Sequence, residues 1–159
     1  MNMKPTLTLL TALLLVNLPW SAAAASLDLI RDSKPAAAIC IPVDAGPSQK
    51  YAADQLRSYL AKATGAKLAI ASEDAVPAEG MLIFVGQTKA AREAGVTTDA
   101  LKHDGCRMTV KNGRLFLLGL DAPVPKGEDS AKFSPTDGRA HGTIRAVTKF
   151  LEDVVGVRW

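Results

Sequence analysis

The clearest periodic signal lies in residues 141–159, HGTIRAVTKFLEDVVGVRW. Ile144, Val147, Leu151 and Val154 recur at steps of three and four, and Phe150 widens the stripe, so one side of a helix is apolar. Arg145, Thr148, Lys149, Glu152 and Asp153 fall mostly on the other side. Thr143 is placed to cap the start of this helix, and Gly156 to take the left-handed turn that closes it. An earlier helix obeys the same rule. Ser48 is its expected cap, Ala52, Leu56, Tyr59, Leu60 and Ala63 share one face, Lys50, Asp54, Arg57 and Lys62 face water, and Gly65 ends it.

The strands between these helices follow from the two-residue alternation. Residues 27–31 and 36–42 predict an opening hairpin across the turn Asp32-Ser33-Lys34-Pro35. Residues 67–71 alternate with Leu68 and Ile70 inward, and residues 81–85 (MLIFV) are apolar throughout, as a central strand covered on both faces would be. A short helix over residues 88–94 follows, closed by Gly95. Cys106, Met108 and Val110 alternate against Arg107, Thr109 and Lys111; Asn112-Gly113 is a strong hairpin signal, and residues 114–118 form the return strand. Residues 121–140 are an irregular insertion with three prolines, of a length that is functional or disordered when it lacks regular structure. The order β-β-α-β-β-(α)-β-β-α predicts an α+β fold: two layers, a mixed β-sheet and helices mainly on one face.

The N-terminus changes the picture of where the chain works. Lys4, an apolar run over residues 7–18 and the small residues SAAAAS at 21–26 predict a signal peptide over residues 1–25. The run is shorter than the roughly 20 residues of a spanning helix, so the mature chain is expected to be exported to the periplasm or the extracellular space, with no membrane segment left. Cleavage leaves about 134 of the 159 residues, the size of one domain over residues 26–159. The net charge of +3 is scattered, without a basic run or interleaved aromatics, which argues against nucleic acid as a partner. Export permits a disulfide between Cys40 and Cys106; two separately buried thiols is the plainer expectation.

Catalytic constellations are not visible. His103 and Cys106 stand three apart, but His141 and Cys40 lie far off in sequence and no H-E-x-x-H occurs, so no metal or other cofactor is expected. No G-x-S-x-G marks a nucleophile. Sugar hydrolysis needs two carboxylates held about 5 to 10 Å apart on rigid elements; Glu152 and Asp153 diverge on a helix, and Glu128 and Asp129 lie in the insertion. What is left is a contact surface. Asp121, Asp137, Arg139 and His141 bracket the insertion, while Arg158 and Trp159 lie at the far end of the last helix, able to stack on a sugar or fill a domain interface.

Four segments carry a resemblance: YAADQLRSYLAKATGAKLAI (51–70), IFVGQTKAAREAG (83–95), DGCRMTVKNGRLFLLGLD (104–121) and GTIRAVTKFLEDVVGVRW (142–159). In this order they resemble the small N-terminal α/β domain that precedes the catalytic barrel in bacterial glycoside hydrolases, such as domain 2 of β-N-acetylhexosaminidases and the N-terminal domain of α-glucuronidases. The resemblance covers nearly the whole chain from about residue 30. It implies a zincin-like topology without a zinc site and a non-catalytic accessory role. The carboxylates that cleave sugars would belong to a barrel beginning after GVRW, which this chain does not contain. A catalytic barrel is therefore the expected partner, and a free-standing exported module that binds polysaccharide or protein through residues 121–141 is the alternative.

Overall fold

A computed structural model describes residues 27–77, 80–125, 127, 129 and 132–159; the expected signal peptide over residues 1–25 and Glu128 lie outside them. Among the described residues, a five-stranded mixed sheet carries three helices. Two-residue strands β1 (Ile30–Arg31) and β2 (Lys34–Pro35) form a separate antiparallel ladder. The main sheet contains β3 (Ala37–Ile41), β4 (Ile70–Ser72), β5 (Met81–Val85), β6 (Cys106–Lys111) and β7 (Arg114–Gly119) in the spatial order β4-β3-β5-β7-β6. All neighbours are parallel except β6, which runs antiparallel to β7. Helices α1 (Pro47–Thr64) and α3 (Gly142–Phe150) and short α2 (Lys89–Glu93) complete it.

The sheet divides the apolar residues by parity, as the pleat requires. Ile39, Ile83, Val85, Leu115 and Leu117 face α1 and α3, where they meet Leu56, Leu60, Val147, Phe150 and Leu151 in the larger core. Cys40, Phe84, Phe116 and Leu118 face the other way and meet Ala91 and Val96 around α2. Phe84 and Phe116 stack with centroids 5.1 Å apart. The all-apolar β5 is the middle strand, buried on both faces. The Asn112-Gly113 turn has both φ values positive, at 52° and 69°, and joins β6 to β7 as the dipeptide predicts.

Several expected details are corrected. The opening hairpin turns on Asp32 and Ser33, both at positive φ, with Lys34–Pro35 as the return strand; β3 instead pairs with β4 and β5. Ser48 does not cap α1. Gly46 does, Pro47 with its pre-set φ opens the helix, and Gln49 accepts the Gly46 N–H at 2.7 Å. The strand expected at 67–71 sits slightly later, at Ile70–Ser72, while Leu68 is still buried. Ala63 faces solvent.

Thr143 lies inside α3, and His141 holds the cap position. The apolar stripe also fails at Val154, which is 62% exposed. Helix α3 ends in a π-helical turn, Leu151–Val155. That wider turn breaks the 3.6 period and packs Val155 on the core instead. Gly156 closes it at φ 83° as expected.

Both cysteines are free. Strands β5 and β7 separate β3 from β6, a distance of about 14 Å at the usual strand spacing and twice what a disulfide spans. Burial pushes the Cys40 thiol up to about 11, with Glu73 and Asp74 adding to the shift, so it behaves as a small apolar core group.

Candidate functional site

The insertion leaves the sheet after β7 and returns at the start of α3. Its two ends close on each other through a bridge between Asp121 and His141, reinforced by Ala122 N–H to Ala140 O at 2.8 Å and Gly142 N–H to Leu120 O at 3.0 Å. Glycine is required here for want of space. A Cβ on Gly119 would lie 2.0 Å from the carbonyl carbon of Gly142, and one on Gly142 would lie 2.5 Å from the Gly105 oxygen. The backbones of β7 and α3 touch, which brings Asp121 under the first turn of α3.

Asp121 does the capping there. Its Oδ1 accepts the Thr143 N–H at 2.9 Å, and its Oδ2 accepts the Thr143 hydroxyl at 2.6 Å and the Gln49 amide at 3.2 Å. A carboxylate at this place also meets the positive end of the helix dipole. Burial pushes the Asp121 carboxyl above its ordinary value, and the hydrogen bonds from Thr143 and Gln49 oppose that rise. Gln49 itself packs where a side chain on Gly86 would stand, since a Cβ at that glycine would lie 2.8 Å from its Cγ. The crevice between the ends of β3 and β5 is where open α/β sheets often bind ligands. Here a side chain of the chain occupies it.

A second chain of bonds runs beside the first. Ser48 Oγ meets His141 Nδ1 at 2.8 Å, and His141 Nε2 meets Asp137 Oδ1 at 2.8 Å. Arg139 donates to Asp137 from Nε at 2.8 Å and from its backbone N–H at 2.9 Å. These Arg139 bonds, with His141 adding to them, hold the Asp137 carboxyl well below the usual carboxylate range. Asp137, being ionised, only accepts. Nε2 therefore donates to it, and in the neutral imidazole Nδ1 is then the nitrogen that accepts from the Ser48 hydroxyl. Phe133 packs its ring against His141 at 5.3 Å and lies 5.8 Å from Tyr51.

Chemically, the order Ser48–His141–Asp137 could pass a proton from hydroxyl to imidazole, the relay used by nucleophilic serines. Its setting is that of a knot. Ser48 is 7% exposed inside the first turn of α1, and both imidazole nitrogens are engaged. An open pocket of about 260 Å³ lies alongside, lined in part by Asp44, Ser48, Gln49, Asp121 and Val124. Among the described residues no group of three or more His, Cys, Asp or Glu could hold a metal ion, and no helix is long and apolar enough to cross a membrane.

Of the six residues expected to form a contact surface, Asp121, Asp137, Arg139 and His141 come together. Arg158 and Trp159 do not join them. They lie beyond the other end of α3, about 20 Å away at the helical rise, where Trp159 meets the edge of Tyr59 at 4.7 Å and stays 61% exposed. Ser48, Gln49, Thr143 and Phe133 were not among the expected site residues. Ser48 and Thr143 carried a signal only as helix caps, and Gln49 and Phe133 carried none.

No protein-family model matches the sequence, and no curated protein matches it. Among solved structures, the fold is similar to part of a family GH115 4-O-methyl-α-glucuronidase, BtGH115A, with specificity for decorated arabinogalactans. The TM-score is 0.51 at 20% identity, over 79% of this chain and 14% of that one. The chain thus spans about a seventh of the length of that glucuronidase.

Proposed function

We propose that this chain is a non-catalytic accessory domain of an exported, carbohydrate-active glycoside hydrolase, of the kind that packs beside a catalytic barrel. The observation that carries this reading is the proportion of the likeness: most of this chain corresponds to a domain-sized fraction of a glucuronidase. The polar cluster supports it. Asp121, Gln49, Thr143, Ser48, His141, Asp137 and Arg139 mostly satisfy one another, which suits a knot that sets the position of a loop. Export and the barrel partner belong to the same proposal.

The purified chain, incubated with chromogenic glycosides that include α-glucuronides, is expected to release no chromophore. Hydrolysis that disappears in Ser48→Ala or Asp137→Asn would overturn the proposal in favour of an enzyme. Calorimetric titration with arabinogalactan tests the free-standing binding module. Saturable heat, lost in an Arg139→Ala, His141→Ala double variant, would favour that reading instead.

A further inference from the structure

Strand β6 is one edge of the main sheet, and no described residue pairs with its outer side. It is six residues long, carries neither proline nor bulge, and its register with β7 is unbroken from Cys106 to Lys111. Such an edge is a ready template for another strand. The opposite edge, β4, offers only three residues.

The two faces of β6 differ in chemistry. On the α3 side, Met108 and Val110 are 36% and 46% exposed. With Leu29, Leu115, Phe150 and Val154 they line an apolar groove of about 440 Å³. The π-helical turn enlarges this apolar surface, because it leaves Val154 exposed beside the groove. On the other side stand Arg107, Thr109 and Lys111, with Arg114 directly across from Lys111 on β7. Lys111 reaches the Ala94 carbonyl and Arg114 lies over the Phe84 ring, while Arg107 has no ion pair among the described residues.

We propose that β6 is a docking edge for an extended segment of a partner protein in which apolar and acidic side chains alternate. A strand added at the usual spacing projects every second side chain over the α3 face, beside Met108 and Val110 and into the groove. Its other side chains fall beside Arg107 and Lys111, where carboxylates are favoured and cations are not. The same charges disfavour a second copy of β6, because antiparallel self-pairing brings the cationic rows of both strands onto a shared face. The inference does not depend on the accessory-domain reading.

The test uses the whole chain and two capped peptides of about ten residues, one alternating valine with glutamate and the other valine with lysine. The glutamate peptide is expected to bind saturably, to slow amide exchange at residues 106–111, and to bind at least about tenfold more tightly than the lysine peptide at low salt. Arg107→Glu combined with Lys111→Glu is expected to reverse that preference. Val110→Glu, at an exposed position, is expected to weaken the glutamate peptide without altering the fold. Failure of the glutamate peptide to bind, protection outside β6, or a preference that survives the charge reversal would each overturn the proposal. So would a dimer through β6 in the absence of peptide, since the edge would then belong to a second copy.

Discussion

The two ends of α3 are finished in opposite ways. At its start, polar groups from three separate segments converge, and the Asp121 carboxylate takes the Thr143 N–H and hydroxyl together with the Gln49 amide. At its finish, a π-helical turn leaves Val154 in solvent beside the uncovered edge of β6, and Trp159, against Tyr59 of α1, is also mostly in water. The difference teaches where this fold is specified and where it is open. Buried polar groups tolerate few arrangements, because each unmade bond costs the full desolvation of its partner. Exposed apolar groups tolerate many neighbours, so that end is free to serve contact with another molecule.

The comparison breaks most severely at the glycines. Gly119→Ala places a methyl group inside the backbone of Gly142, so a loss of about 3–5 kcal/mol is expected in denaturant unfolding. Gly113→Ala, whose added carbon meets nothing within 4 Å, isolates the cost of positive φ from that of crowding; a cost of about 1 kcal/mol is expected there. Equal losses at the two sites would refute close packing of β7 on α3.

Asp121→Ala comes next. It strands two donors on Thr143 and one on Gln49, and about 2–3 kcal/mol should be lost. Asp121→Asn keeps an acceptor for the Thr143 N–H and should cost about half as much. Acid titration separates the two carboxylates by sign. The folded value of Asp137 is depressed, so its contribution is present above the ordinary 3.8 and is lost as pH falls below it. The folded value of Asp121 is raised, so its ionisation opposes stability as pH rises through that value. The amide signals of Gly138 and Arg139, followed downward from pH 5, should move in the wild type and not in Asp137→Asn.

The smallest effect belongs to the open end. Trp159→Ala removes one edge contact with Tyr59 from a side chain that is mostly in water, and a change below about 1 kcal/mol in unfolding is expected. A larger loss would show that the finish of α3 is as tightly specified as its start.

Much of the architecture was legible along the chain. The repeats of α1 and α3, the continuous apolar run of β5 and the Asn112-Gly113 turn each state a period or a backbone requirement that does not depend on distant residues. The capping errors show the limit. Ser48 and Thr143 have the right chemistry at the right places, yet their hydroxyls go to His141 and Asp121, 93 and 22 residues away. Val154 fits an α-helical period that the π-helical turn interrupts.

By itself, then, the sequence determined the main elements, most of their apolar positions and the Asn112-Gly113 turn, because these follow from neighbours within a few residues. Tertiary structure alone decided which polar side chains meet, which glycines let two backbones touch, and which edge of the sheet stays unpaired. Those outcomes depend on three-dimensional proximity between distant segments, and a linear pattern of residue types carries no distance of that kind.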